Sequence, residues 1–278
     1  MTAGWLVPGA APVLVETGSQ SSVPVVLEAL GGLGMGPADL AGIVVTHIHL
    51  DHAGGVGDLA RAFPNATVYV HPVGARHLVD PSRLVASAGR VYGDALDTLY
   101  GRLDPTPEER IRALEDGDTI PVGPGRVLHA VHSPGHASHH LALHDSQTGV
   151  LFAGDAVGVR LPDVGVLRPA TPPPDFDLDL AVDSLRQFAQ RRPSSLALAH
   201  FGVLEGDPQD ILGEAEDAMR DWAAVAEAAW RRGDDVATAL AAAFGGDPSD
   251  TMGILNGVHS NAAGLTRWLD RRSAPPNR

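Results

Sequence analysis

The chain has 278 residues, no cysteine, and 34 acidic against 20 basic residues, for a formal charge of −14. The absence of cysteine rules out disulfides, thiol nucleophiles and thiolate metal ligands. So negative a surface repels phosphate backbones, and every one of the 20 cations is arginine, so nucleic acid is not expected as substrate or partner.

From the N-terminus, MTAGWLVPGAAPVLVETG lacks the basic stretch and long apolar core of a signal peptide. WLVP and VLVET read instead as two short strands around a turn. No run approaches the roughly 18 apolar residues of a membrane span. The expectation is a cytoplasmic protein with no membrane partner. AGIVVT, ATVYV, RVLHAVH, HLALH, GVLFAG and SLALA continue the strand-like runs to about residue 201, alternating with loops and helical stretches. This is an α/β pattern. Between about residues 72 and 112, VGARHLV, PSRLVASAGRVYGDALDTLYG and TPEERIRAL look helical, an insert that could form a lid. LRPATPPPDFDLDL, residues 167–180, is too rich in proline for a regular element. It is expected as an ordered surface loop before the helix AVDSLRQFAQRR.

After Gly206 the character changes to Ala-rich helical stretches, DPQDILGEAEDAMRDWAAVAEAAWRRG, DVATALAAAF and SDTMGILNGVHSNAAGLTRWLDRR, with a frayed tail, SAPPNR. The expected organisation is a catalytic domain over residues 1–206 and a C-terminal helical annex over 207–278. Trp222 and Trp230, eight apart on one helix, share a face that suits core packing, a pocket cap or a dimer contact. A homodimer through the insert or the annex stays open.

His47, His49, Asp51 and His52 lie in THIHLDHAGG, directly after the apolar run GIVV. His47 and His49 alternate and so project the same way from an extended segment, while Asp51 and His52 reach past the turn. His136 follows the strand RVLHAVH in SPGHAS, Asp155 ends VLFAGD and His200 ends SLALAH. Ligand sites in α/β proteins gather where strands end and loops begin, so four such ends could converge on one rim. Imidazole nitrogen with carboxylate oxygen and no sulfur suits Zn²⁺, with Mn²⁺ or Fe as alternatives. His139 and His140 follow the His136 loop and are candidates for orienting a ligand or facing a substrate. His71, at the end of ATVYV, and His77, His129, His132, His144 and His259 are read as structural. Tyr92 and Tyr100 in the insert read as packing residues that could also offer a phenolic donor.

THIHLDHAGG, SPGH, FAGD and AHFG together resemble the ordered motif set of the metallo-β-lactamase fold, from about Val13 to Gly202. The resemblance implies a four-layer αββα sandwich carrying two divalent ions. Residues matching His47, His49 and His136 hold one ion in that family, those matching Asp51, His52 and His200 the other, and the match to Asp155 bridges them. With YVHPVGARHLVDP, GHASHH and AHFG, the chain resembles more closely the poorly characterised prokaryotic members often grouped with hydroxyacylglutathione hydrolases. It departs at residues 16–18, where ETG replaces the usual DTG, and in a short N-terminus. Neither departure is expected to touch a ligand.

Two such ions lower the pKa of a bridging water to roughly 7. The implied reaction is hydrolysis of a small-molecule ester, thioester or lactone, with Asp51 as the catalytic carboxylate that shares or passes a proton. A glutathione thioester is less expected, because the basic residues that clamp glutathione in those relatives have no visible match. A mononuclear iron, persulfide dioxygenase-like oxidoreductase using His47, His136 and Asp155 is the alternative. A phosphodiesterase suits two metals but conflicts with the acidic balance.

Overall fold

The computed structural model describes residues 2–161, 165–200, 202–247 and 249–274. The chain divides into two compact units, Met1–His132 with His139–Gly154, and Ser133–Ser138 with Asp155–Arg278.

The first unit opens with β1 (Trp5–Val7) and β2 (Val13–Val15), the antiparallel pair expected around the turn at Pro8–Pro12. Parallel strands β3 (Gly42–Val44) and β4 (Thr67–Val70) follow. Parallel neighbours need crossovers, and helices supply them: α1 (Val23–Gly32) before β3, then α2 (Leu50–Ala53) and α3 (Val56–Ala62) before β4. Ile43, Val45, Ile48, Leu59, Val68 and Val70 join one apolar cluster beneath these helices. Val44, which points to the opposite face of β3, is fully buried as well, as befits a parallel strand covered on both sides.

The insert forms α4 (Pro72–Val79), α5 (Ser82–Tyr92) and α6 (Leu96–Leu99), and Leu84, Val85, Ala88 and Tyr100 pack against the same cluster. TPEERIRAL corrects the helical reading. Only Glu108–Arg110 makes a helical turn, and Ile111–Ala113 forms β5, parallel to β4 with Val68 opposite Ile111. A vacant sheet edge outweighs the helix propensity of so short a run. Four antiparallel strands complete the unit in the order β9-β8-β7-β6: β6 (Thr119–Gly123), β7 (Arg126–His132), β8 (Leu141–Asp145) and β9 (Val150–Gly154).

The second unit contains the hairpin β10 (Val159–Arg160) and β11 (Leu167–Arg168), then α7 (Leu178–Arg191) and the hairpin β12 (Ser195–Leu198) and β13 (Gly202–Val203). Four helices follow, α8 (Pro208–Arg232), α9 (Val236–Phe244), α10 (Asp250–Asn256) and α11 (Val258–Ser273). Their ends follow the sequence: the Asp207 and Asp235 side chains accept from backbone amides at the starts of α8 and α9, and Gly233 and Gly245 adopt left-handed conformations at their ends. The last predicted stretch is not one helix, because it breaks between Asn256 and Gly257. Trp222, Trp268, Phe176, Leu240 and Leu265 build the core of these helices, and Trp230 donates to Asp270 at 2.9 Å.

The proline-rich segment is a surface loop only in part: Pro174, Asp179 and Leu180 are exposed, whereas Arg168, Thr171 and Phe176 are buried. Its polar groups are satisfied there: Thr171 N donates to Asn261 Oδ1 at 2.6 Å and Arg168 donates to the Asn256 carbonyl at 3.0 Å. The mixed α/β class, with helices flanking the sheets and a helical C-terminal region, holds as expected. The frayed tail falls largely on residues 275–278, outside the described residues. No described helix is long and apolar enough to cross a membrane.

Candidate metal centre

In the first unit the chain leaves β3 extended. Ile48 enters the apolar cluster, and His47 and His49 point the other way, as the alternation requires. His47 is fully buried, and its Nε2 lies 2.9 Å from His49 Nδ1. The single turn of α2 then presents Asp51 and His52. His52, also fully buried, has Nε2 3.4 Å from Asp51 Oδ2 and Nδ1 3.5 Å from Glu16 Oε2. Thr17 fixes the same turn, its Oγ1 donating to the His52 carbonyl at 2.7 Å.

Glu16 was not expected to reach a ligand, and this is corrected. Its carboxylate is 1% exposed. Oε1 accepts from Thr46 N at 3.2 Å while Oε2 faces the His52 ring. The residue sits at φ 67°, a conformation costly for a side chain other than glycine. The sequence did carry a signal: an acidic residue closes the wholly apolar run VLV, and a buried acid at such a place needs a partner.

His139 and His140 belong to this unit and lie beside His47. Their ring centroids are 6.2 and 5.2 Å from that of His47, and His139 Nδ1 accepts from Ile48 N at 3.5 Å. Gly154, at φ 51°, leaves room for His140 and Thr46, since a Cβ there would stand 2.5 Å from His140 Nε2 and 2.6 Å from Thr46 Oγ1. The insert contributes Tyr92 and Tyr100, whose rings meet edge to face at 4.9 Å. Burial pushes both phenols up, and the nearby Asp51 carboxylate adds to the effect. The His71 and His132 rings lie 4.4 Å apart and tilted by 44°, while His129 pairs with His144 across β7 and β8. His77 and His259 lie on α4 and α11.

In the second unit, the loop of residues 133–138 is clamped onto α7. Ser184 Oγ donates to the Pro134 carbonyl at 2.7 Å, and Asp177 N donates to the Gly135 carbonyl at 2.9 Å. A Cβ on Gly135 would stand 2.3 Å from Ala181 Cα, so only glycine allows the approach. His136 follows. Its Nδ1 donates to the Ala170 carbonyl at 3.1 Å, because a carbonyl can only accept. That leaves the lone pair on Nε2, which lies 3.7 Å from Asp155 Oδ2, while Asp155 Oδ1 lies 3.5 Å from His200 Nε2. All three residues are at least nine-tenths buried.

The structure thus gathers His47, His49, Asp51 and His52 in the first unit and His136, Asp155 and His200 in the second. The donors are all imidazole nitrogen and carboxylate oxygen, which suits divalent cations of borderline hardness. Buried imidazoles and carboxylates at these separations are costly without a cation or protons to neutralise them. The two oxygens of Asp155, each facing a different imidazole, fit the demands of a bridging ligand.

Residues 2–200 match the family model described as the metallo-beta-lactamase superfamily. The chain is 30% identical to the metallo-beta-lactamase fold-containing protein ST1585 of Sulfurisphaera tokodaii, over 58% of this chain and 60% of that protein. The solved ST1585 structure superposes with a TM-score of 0.65 at 26% identity, covering 78% of this chain and 79% of that one. This chain is 33% identical to a hydroxyacylglutathione hydrolase of Aeromonas salmonicida, over 48% of this chain and 38% of that enzyme. A further 33% identity links it to the acyl-coenzyme A thioesterase MBLAC2 of Gallus gallus, over 55% and 56%. The chain therefore spans between about two-fifths and three-fifths of the length of these relatives.

Proposed function

Because this chain belongs to the metallo-β-lactamase superfamily, we propose that it is a binuclear metallohydrolase acting on a small-molecule ester, thioester or lactone. The observation that carries the reading is Asp155, which presents one oxygen to His136 and the other to His200. In this reading His47, His49 and His136 would hold one ion and Asp51, His52 and His200 the other, with Asp155 a ligand common to both. Zn²⁺ is the first choice by donor chemistry, with Mn²⁺ or Fe as alternatives. When bound, such ions supply an activated water and positive charge for a developing oxyanion.

The protein's own groups do the rest. Glu16 orients His52 through Nδ1, so that Nε2 is directed to its task. Asp51, partly exposed and beside His52, accepts a proton from the attacking water and returns it to the leaving group. A carbonyl substrate is favoured over a phosphodiester because a chain of formal charge −14 disfavours polyanions. Thioester chemistry is supported by the hydroxyacylglutathione hydrolase and acyl-coenzyme A thioesterase among its relatives.

The test is a screen of metal-analysed protein against phenyl acetate, phenyl thioacetate, γ-butyrolactone and bis-p-nitrophenyl phosphate, with oxygen uptake measured on a persulfide. Turnover of a carbonyl substrate with two metals per chain is the expected result. Oxygen consumption with one iron, or turnover of the phosphodiester alone, would overturn it.

A further inference from the structure

The His136 ring is oriented by the Ala170 carbonyl, which accepts its Nδ1 proton at 3.1 Å. That carbonyl and the Thr171 N–H are the two ends of one planar peptide group, and in a trans peptide they point opposite ways. The far end is held as well, because Thr171 N donates to Asn261 Oδ1 at 2.6 Å. The order is therefore Asn261 Oδ1, the peptide between Ala170 and Thr171, then His136 Nδ1. An amide whose N–H is already donating carries more negative charge on its oxygen, so hydrogen bonds in series strengthen one another.

Asn261 lies within α11, where asparagine is a poor helix former, and it is 1% exposed, where an amide without partners is costly. Both ends of its side chain are used. Oδ1 also accepts from Thr171 Oγ1 at 2.9 Å, and Nδ2 donates to Asn256 Oδ1 at 2.7 Å. Because a backbone N–H can only donate, the end facing Thr171 N is the oxygen. Asn256, itself buried, holds the preceding stretch, its Nδ2 donating to the Pro169 carbonyl at 3.1 Å. Three residues beyond Asn261, on the same face of α11, a Cβ on Gly264 would stand 1.8 Å from the Thr171 carbonyl oxygen, so only glycine lets the helix backbone press this close. Asn256 and the contact at Gly264 already tie the loop down. What Asn261 adds is a short bond to the one peptide group that also meets His136. All these residues belong to the second unit, and Asn261 lies beyond residues 2–200, which match the family model.

We propose that Asn261 is a positioning residue for His136, acting through the peptide between Ala170 and Thr171, and that the C-terminal helices thereby contribute to the metal affinity of the chain. This rests on the reading of His136 as a metal ligand. With Nδ1 held as a donor to a fixed and polarised carbonyl, the ring presents its Nε2 lone pair in one direction and as a stronger base.

The test measures zinc affinity by chelator competition on the full chain, for wild type, Asn261→Leu and Leu240→Ala, with denaturant melts of the metal-free proteins to report stability. Leu240 is fully buried in the core of the C-terminal helices, so its truncation destabilises them by leaving a cavity, while Asn261 and its partners are kept. Asn261→Leu should weaken zinc binding about tenfold, the low end of the range for groups behind a ligand. Leu240→Ala should stay within about twofold, the range of a neutral substitution, although it is destabilised. If Asn261→Leu also stays within about twofold, or if Leu240→Ala loses as much affinity, Asn261 serves the fold and not the ligand, and the proposal is wrong. A measurement on wild type decides the matter should Asn261→Leu fail to fold. Coordination at Nε2 makes Nδ1–H a stronger donor and so polarises the whole series, which should move the Thr171 amide proton downfield in the nuclear magnetic resonance spectrum on zinc addition and return it with EDTA. A Thr171 signal indifferent to bound zinc would overturn the coupling. If wild type binds no zinc, the reading of His136 as a ligand falls and the proposal with it, whereas zinc binding by wild type with an unaffected Asn261→Leu sinks the positioning role alone.

Discussion

On the proposed reading, a carboxylate that faces two imidazoles with separate oxygens, as Asp155 does, would both coordinate and neutralise the cations. Asp155→Ala should then lose the proposed two-metal centre outright, seen as metal stoichiometry falling from two to one or none per chain. His139→Ala should keep the wild-type metal content. Glu16 works at one remove, through the His52 ring. Glu16→Gln should weaken metal binding by about 10- to 100-fold while the fold persists, and a competition titration against a chelator reads this directly. Unchanged affinity would mean that the acid serves only the Thr46 amide. Of these residues, Asp155 and the histidines were legible because each ends a strand-like run or sits in a tight motif. Glu16 was legible only as an acid in need of a partner, because the partners themselves, Thr46 and His52, are reached through a backbone at φ 67°.

Among the elements, α4 has an unusual start. Its N-cap is His71, whose Nδ1 accepts from Val73 N at 3.1 Å while the ring lies against His132. Both features require neutral imidazole: a protonated Nδ1 cannot accept, and a cation at a helix N-terminus opposes the dipole. Burial, followed by the neighbouring His132, lowers the His71 pKa to about 4. The unfolded chain, with a histidine pKa near 6.5, then binds more protons than the folded one between those values. This contribution to stability is complete above about pH 6.5 and is lost as pH falls towards 4. His71→Asn keeps a good cap without the titration. Denaturant melts of metal-free protein at pH 7.5 and 5.0 should show a smaller loss for the variant, and equal losses would reject the account. Elements with strong local signals, such as α8 with Asp207 before it and Gly233 after it, could be read directly from the chain. β5 could not, because Ile111–Ala113 is a strand only by virtue of the β4 edge beside it. The buried start of the proline-rich segment likewise could not be foreseen, because Asn256 and Asn261 supply its hydrogen-bond partners from some 90 residues away.

At the scale of the whole molecule, the formal charge of −14 means that any added cation raises stability to some degree by screening self-repulsion. A thermal shift with metal is therefore informative only if coordination is separated from screening. Nitrogen-rich donor sets select Zn²⁺ over Mg²⁺, which takes oxygen ligands and dehydrates reluctantly. At 0.15 M NaCl, where the Debye length is about 8 Å, micromolar divalent ions add nothing to screening. Under those conditions Zn²⁺ at 100 times its Kd should stabilise the chain by about 2.7 kcal/mol per site. For a protein of this size, at roughly 2 to 4 °C per kcal/mol, that is a rise of about 5 to 10 °C in Tm. Mg²⁺ at the same concentration should leave Tm unchanged, and EDTA should reverse the zinc effect. Asp155→Ala should lose most of the zinc-dependent rise yet keep the wild-type response to NaCl, because one carboxylate among 34 acidic residues hardly alters the net repulsion. Equal shifts with zinc and magnesium, or a full zinc shift in Asp155→Ala, would show that the cations act on the charged surface and not on the buried histidines.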